Sequence, residues 1–178
     1  LKHHKQNLTR GHIMIEIVRV VTNSQIESVA ALADQIWREH YTPIIGAEQV
    51  AYMLENFQSP EAVRAQIDRN ELIYYLLYTD QRPAGYFAIQ IRPEEVFLSK
   101  LYVTRQSRRL GLAKNAIDFI KNVAADNCLN RISLTINKNN SDSLAAYERL
   151  GFKNEKAIVT DIGNGFYMDD YVLALEVG

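Results

Sequence analysis

A strand-like run from Val96 to Val103 leads, within a few residues, into Arg108-Arg109-Leu110-Gly111-Leu112-Ala113, and that segment opens onto an apolar-faced helix. A strand passing straight into a helix presents unpaired backbone N–H groups at the positive end of the helix dipole. Such an arrangement suits a phosphate or pyrophosphate. Gly111 permits close backbone approach, Ala113 keeps the entrance small, and Arg105, Arg108 and Arg109 add positive charge. The loop lacks the Gly-Lys-Ser/Thr of a P-loop and the three spaced glycines of a dinucleotide fingerprint. Taken alone, it is equally compatible with an ordinary strand-to-helix junction carrying a solvated basic turn.

Further along, Asn140 stands seven residues before Tyr147, and Gly151-Phe152 follow. By residue type alone, Asn140 reads as a helix cap and Tyr147 as a buried helix-face aromatic. The two segments together resemble the paired signatures of the GNAT superfamily of N-acetyltransferases. The first is Arg/Gln-x-x-Gly-x-Gly/Ala, here Arg108-x-x-Gly111-x-Ala113, led in by Leu101-Tyr102-Val103. The second is the asparagine seven residues ahead of a tyrosine, then Gly-Phe. The general layout is also similar to bacterial polyamine acetyltransferases of the spermidine/spermine type.

That resemblance implies an α/β fold with a mixed, mostly antiparallel central sheet and helices on both faces. A central pair of strands, one ending at Val103 and one over residues 131–136, would splay apart. It implies acetyl-CoA as cosubstrate and no metal. The pantetheine arm would lie along Leu101, Tyr102 and Val103, bonding to the backbone of Leu101 and Val103. The amides of Arg108, Arg109, Leu110, Gly111, Leu112 and Ala113 would hold the pyrophosphate, and Asn140 would hydrogen-bond the pantetheine arm. Tyr147 would lie near the thioester sulfur as the catalytic acid.

The implied reaction needs a neutral amine, a stabilised tetrahedral oxyanion and a protonated leaving thiolate. An alkyl ammonium titrates near 10.4, so at pH 7 it must lose a proton before it attacks. The backbone N–H of Val103 is the natural oxyanion donor and the Tyr147 hydroxyl the thiolate's acid. Relatives commonly place a glutamate where this chain has Ser99, which cannot serve unaided as the base. Glu94, Glu95, Glu39, His40 and Tyr41 are the alternatives, with a surface role for Glu39 and His40 the commoner outcome for such residues.

For the acceptor, Asp161 and Met168-Asp169-Asp170-Tyr171 lie near the C-terminus. Adjacent carboxylates on a strand face opposite ways, so only one of Asp169 and Asp170 can readily enter a cleft. With Tyr41, Tyr52, Tyr74, Tyr86 and Tyr167 as walls, they suit a cationic amine such as a polyamine. A protein amine or an aminoglycoside would fill the same role. Two other classes stay open: a non-catalytic acyl-CoA-binding sensor, and an interaction domain whose hairpin pairs across a homodimer.

The elements that must position these residues follow from periodicity and punctuation. A first strand spans residues 13–21. Ser24-x-x-Glu27 reads as a capping box, and apolar residues at helical spacing run to Trp37. Pro43 ends that helix near Tyr41; Val50, Met53, Leu54 and Phe57 mark a second helical stretch, and Ser59-Pro60-Glu61 restarts the pattern. Strands over residues 72–79 and 84–91 turn through Asp80-Gln81-Arg82-Pro83, and Arg92-Pro93-Glu94-Glu95 turns into the strand that precedes the loop. Ala113, Ala116, Ile117, Ile120 and Ala124 share one helix face. A strand at 131–136 and a helix closed by Gly151 follow, then two strands joined by Gly163-Asn164-Gly165. The order is β-αα-βββ-α-β-α-ββ.

At 178 residues, 47% hydrophobic, the chain can bury one core, so residues 13–178 read as a single domain. Residues 1–12, with three histidines and no apolar stretch, read as a tag or a disordered extension rather than a signal peptide. A formal charge of −1 gives no basic excess for nucleic acid. No apolar run is long enough to cross a membrane, so a cytoplasmic location is expected. Cys128 is the single cysteine, which rules out an intrachain disulfide; it reads as a small apolar residue near a helix end rather than a reactive thiol.

Overall fold

The computed structural model describes residues 8–10 and 13–178. The expectation for residues 1–12 therefore falls largely outside the described residues; within it, β1 (Leu8–Arg10) pairs antiparallel with β2 (Ile13–Arg19). Helices α1 (Asn23–His40), α2 (Thr42–Ile45), α3 (Ala47–Met53) and α4 (Pro60–Asp68) come next, with a π-helical turn at Leu54–Gln58. Then follow β3 (Ile73–Thr79), β4 (Arg82–Ile91), β5 (Val96–Val103), a 3-10 turn at Arg105–Ser107 and α5 (Leu112–Asp126). The chain closes with β6 (Arg131–Asn137), α6 (Ser141–Arg149), β7 (Lys153–Gly163) and β8 (Phe166–Glu176). This is the expected mixed α/β, mostly antiparallel fold.

The chain forms two compact units. The first comprises everything to Ile89 together with Lys100–Ala116. In it β1, β2, β3 and β4 lie side by side, each antiparallel to the next. Its core is built from Ile26, Val29, Ala33, Ile36 and Trp37 of α1 and from Leu76, Leu77, Phe87 and Ile89 of the sheet. The second comprises Gln90–Ser99 and Ile117–Gly178. In it residues 96–98 of β5 pair in parallel with Ile132 to Leu134, and β8 lies antiparallel between β6 and β7. The paired register of β5 with β6 thus ends at Leu98, and residues 100–103 of β5 belong to the first unit.

Two details of α1 and its neighbours depart from the sequence reading. The cap of α1 is Thr22, not Ser24: the Thr22 side chain accepts from the Gln25 N–H at 3.3 Å, and the Gln25 side chain accepts from the Thr22 N–H at 2.9 Å. A glutamine serves the reciprocal role as well as a glutamate, so two overlapping capping boxes competed and the earlier one formed. Beyond α1 the stretch marked by Val50, Met53, Leu54 and Phe57 forms as α3 and the π-helical turn, and a short further helix, α2, precedes it. Gly46, at a φ of 86°, separates α2 from α3, a conformation that glycine adopts without penalty. At α4 the serine cap and first-turn proline form as expected, with Ser59 accepting from the Ala62 N–H at 3.2 Å.

In the second unit Arg131 ties three strands together. It donates to Glu95 just before β5, to Glu155 on β7 at 2.6 Å and to Glu176 on β8 at 2.9 Å. Burial raises the Glu95 carboxyl, but hydrogen bonds from Ser133, Arg92 and Arg131 outweigh it and hold the group below its ordinary value.

Cys128 is exposed, not tucked against apolar neighbours, because it occupies the left-handed position that ends α5, at a φ of 56°. Its N–H donates to Ala125 and the Leu129 N–H reaches back to Ala124, the paired bonds of a glycine-type helix stop. A non-glycine residue there carries conformational strain. Cys128→Gly should therefore stabilise the protein by about 0.5–1 kcal/mol, raising Tm by about 2–3 °C in calorimetry. A lower Tm would mean the side chain makes contacts that outweigh the strain.

Candidate active site

In the first unit, β5 delivers the backbone to the loop. The Thr104 N–H donates to Ala84 of β4 at 2.9 Å, and the Tyr102 carbonyl presses on Gly85, where an added Cβ would stand 2.3 Å from it. Strand alternation then turns the N–H and C=O groups of Leu101 and Val103 to the opposite edge. Gly85 was not singled out from the sequence. A glycine inside a strand pattern, flanked by the register shift of β3 and β4 at Leu77/Tyr78, is the signal that marks such a close backbone approach.

The loop itself is a concave run of amides. Arg109 and Gly111 take φ values of 65° and 87° between residues of ordinary sign, an alternation that points successive N–H groups to one side. The Arg108 N–H is turned back to Arg105 O at 3.4 Å, so it is the least available of the six. Helix α5 then starts: the Asn115 N–H and side-chain amide both donate to Gly111 O at 2.9 Å. The N–H groups of Leu112, Ala113 and Lys114 precede that first donor and have no carbonyl within the helix. Leu112 is buried and anchors the turn, whereas Arg105, Arg108 and Arg109 are exposed. A pyrophosphate fits this donor set: several amides converging at a helix start, with three guanidinium groups nearby.

The other face of β5 is aromatic. Tyr102 stacks edge-on against Trp37 at 5.4 Å and against Tyr41 at 5.9 Å, and lies 5.3 Å from Tyr86. His40 packs on Tyr41, and Glu39 is exposed. Of the tyrosines expected as pocket walls, Tyr74 and Tyr86 are fully buried, their hydroxyls donating to Gln66 and Gln58, so they are core. Tyr52 packs against Phe57. Lys100, on the same face as Tyr102, lies 5.7 Å from the Tyr74 ring, and burial lowers its ammonium to about 8.

In the second unit, Asn140 is buried and opens α6. Its N–H donates to Asn137 O at 2.9 Å and its carbonyl accepts from the Leu144 N–H, but its side chain makes no capping bond. The Gly-Phe after Tyr147 has a mechanical meaning. Gly151, at a φ of 96°, stops the helix, and the Phe152 N–H returns to Tyr147 O at 3.1 Å. The Phe152 ring then meets the Tyr147 ring at 5.4 Å, the apolar contact that accompanies this stop. Buried Phe152 therefore orients Tyr147, a role that its place two residues past Leu150 did not disclose.

The acidic hairpin divides as strand geometry requires. Asp169 is exposed and paired with Lys138; Asp170 is buried. Tyr167 is exposed, and Asp161 bonds its own turn through the Gly163 N–H at 2.8 Å. Glu94 is exposed, and Glu95 is committed to Arg92 and Arg131, which leaves neither placed as a base near residues 99–103 by its contacts. Among the described residues no group of three or more His, Cys, Asp or Glu is arranged to hold a metal ion, and no helix is long and apolar enough to cross a membrane.

The mixed sheet and the strand–loop–helix order are those expected of acetyl-CoA-dependent N-acetyltransferases. The chain belongs to the acetyltransferase (GNAT) family, whose model matches residues 30–152. It is similar to the PaiA N-acetyltransferase of Thermoplasma acidophilum in complex with coenzyme A: TM-score 0.77 at 19% identity, covering 91% of this chain and 98% of that one. A probable acetyltransferase from Staphylococcus epidermidis gives 0.74 at 17% identity, with 93% and 100% covered. The ribosomal-protein-S18-alanine N-acetyltransferase of Escherichia coli gives 0.65 at 16%, with 92% and 94% covered. At these identities the likeness is one of fold.

Proposed function

We propose that this acetyltransferase uses residues 108–113 to hold the pyrophosphate of acetyl-CoA and passes the acetyl group directly to a primary amine, with polyamines as the acceptor class. The observation that carries this reading is the concave amide run at the start of α5, directly after a β5 edge whose Leu101 and Val103 groups face away from β4. Acetyl-CoA supplies the activated thioester. Leu101 and Val103 hold the pantetheine arm by backbone bonds, with Tyr102 fixing the strand through its aromatic contacts on the other face. Asn140 adds a side-chain bond to that arm. The Val103 N–H donates to the developing oxyanion, and the Tyr147 hydroxyl protonates the leaving sulfur.

The polyamine reading rests on charge. Half-buried Tyr41 and Tyr102 offer ring faces, each worth about 0.5–2 kcal/mol to a cation. A panel of spermidine, propylamine, a lysine peptide, a free peptide N-terminus and an aminoglycoside, followed by CoA release, tests it. Spermidine should exceed propylamine in kcat/KM by about tenfold or more, the equivalent of one retained charge contact. Preference for the peptide or the aminoglycoside would overturn the polyamine assignment.

A further inference from the structure

Lys100 is held against aromatic rings in the first unit. It lies on β5 two residues before Tyr102, on the same face of the strand, and is half-buried. Its Nζ stands 5.7 Å from the centre of the buried Tyr74 ring. Beside it Tyr102 meets Trp37, Tyr41 and Tyr86. A lysine stem can lie along such a floor while its head keeps contact with water. Burial disfavours the charged form and lowers the ammonium to about 8. The ionisable groups brought to this face are Tyr74 of β3, Tyr86 of β4, Tyr102 of β5 and, at the end of α1, His40 and Tyr41. Burial holds the Tyr74 and Tyr86 phenols above their ordinary value, so they stay neutral. Gln66 and Gln58, which accept from those two hydroxyls, carry no charge.

Its neighbours along the chain are as informative as its surroundings. Leu101 follows directly and Val103 two residues later, and the proposed pantetheine arm lies on their backbone groups. The loop at residues 108–113 belongs to the same unit. At about 3.3 Å per residue, Lys100 and Val103 stand roughly 10 Å apart along the strand. A four-carbon side chain and the acetyl end of the arm can close that gap between them. Reactivity favours this lysine as well. At pH 7 about a tenth of an amine titrating near 8 is neutral and nucleophilic, against about one part in two thousand for an ordinary lysine near 10.4. Lys114, Lys153 and Lys156 are exposed.

Resting on the acetyltransferase reading above, we infer that Lys100 is an internal acetyl acceptor, modified on Nζ by the acetyl-CoA that its own chain binds. The ammonium first releases one proton to solvent. The freed Nζ lone pair attacks the thioester carbonyl carbon, forming the C–N bond and a tetrahedral oxyanion to which the Val103 N–H donates. Collapse of that species breaks the C–S bond, and the electron pair leaves with the sulfur. The nitrogen sheds a second proton, which the thiolate takes up. The net products are an acetamide at Nζ, CoA thiol and one proton. The step happens once per chain, so it releases at most one thiol and is separate from turnover on an added amine.

Wild-type protein incubated with acetyl-CoA and no added amine, then digested and mapped by mass spectrometry, reads the site directly. Lys100 should gain one acetyl group, about tenfold or more faster than Lys114, Lys153 or Lys156, in keeping with its larger neutral fraction. The rate should saturate with acetyl-CoA and be independent of protein concentration, as a reaction within one chain requires. It should rise through about pH 8 and then level, because the neutral amine is the reactive form. Excess free CoA should slow the labelling of Lys100 and leave that of the three exposed lysines unchanged. An unmodified Lys100, equal labelling of all four lysines, a rate proportional to protein concentration, or indifference to free CoA would each overturn the assignment. A wild type whose Tm does not rise with acetyl-CoA would instead strike the acetyltransferase reading itself. A Tm rise with Lys100 left unlabelled strikes this inference alone.

Discussion

Replacing Tyr147 by phenylalanine should lower kcat by about 10²–10⁴-fold, the span expected when a general acid is removed. At about 1.4 kcal/mol per factor of ten, this is about 3–5 kcal/mol of transition-state stabilisation lost. The CoA thiolate is a competent leaving group without help, but its departure is faster when the sulfur is protonated as the bond breaks. Phenylalanine keeps the ring, and the contact with Phe152 at 5.4 Å depends on the ring alone. The helix stop at Gly151 is made by backbone bonds and is untouched. Acetyl-CoA affinity should therefore change only slightly, and so should Tm. A variant with wild-type kcat would assign Tyr147 to packing; one with weakened acetyl-CoA binding would make it a binding residue.

A second large effect is expected at Gly111. Saturating acetyl-CoA should stabilise the wild type by about 2.7 kcal/mol at a hundred times Kd, or about 5–10 °C in Tm for a chain of this size. Gly111→Val should remove most of that shift. A Cβ at this position would meet only the Asn115 side chain, at an ordinary 3.6 Å, so the protein itself has room for it. The obstacle is twofold. At a φ of 87° a β-branched residue is strained by about 1–3 kcal/mol, and relief of the strain rotates the amides out of convergence. The added side chain also stands where a phosphate would approach the backbone. The apo protein should melt lower as well, whereas Gly111→Asn, which tolerates the left-handed region, should keep the apo Tm and still lose ligand stabilisation. A full acetyl-CoA shift in Gly111→Val would remove residues 108–113 from the binding site.

Much of the fold was legible because its signals are local. The end of α1 at Tyr41, the cap at Ser59, the turn at Asn164-Gly165 and the stop at Gly151 each follow from one or two residues whose backbone chemistry admits few alternatives. The turn at residues 108–113 and the helix from Ser141 to Arg149 that carries Tyr147 were legible for the same reason. What was not legible depends on contacts between distant segments or on choices among near-equal local options. Thr22 and Ser24 each offered a capping box, and sequence alone does not rank Gln25 against Glu27. Gly85 acquires its meaning from the Tyr102 carbonyl, seventeen positions away in the chain. Tyr74 and Tyr86 looked available for a pocket because aromatic residues with hydroxyls suit both core and cleft, and only their bonds to Gln66 and Gln58 place them in the core. Alternation on β8 foretold that Asp169 and Asp170 would part; which of them is buried depends on the pairing with β6 and β7.

The central claim is that an acetyl-CoA held by this chain reacts with an amine. Its most direct measurement follows free thiol and acetylated amine together, from purified protein with acetyl-CoA, before and after an amine is added. The account predicts saturable acetyl-CoA binding, little thiol release alone, and, on addition of spermidine or another accepted amine, one thiol released for each amide formed over many turnovers. Tight acetyl-CoA binding with no amine-dependent thiol release from any of the acceptors would contradict it and make the chain a sensor.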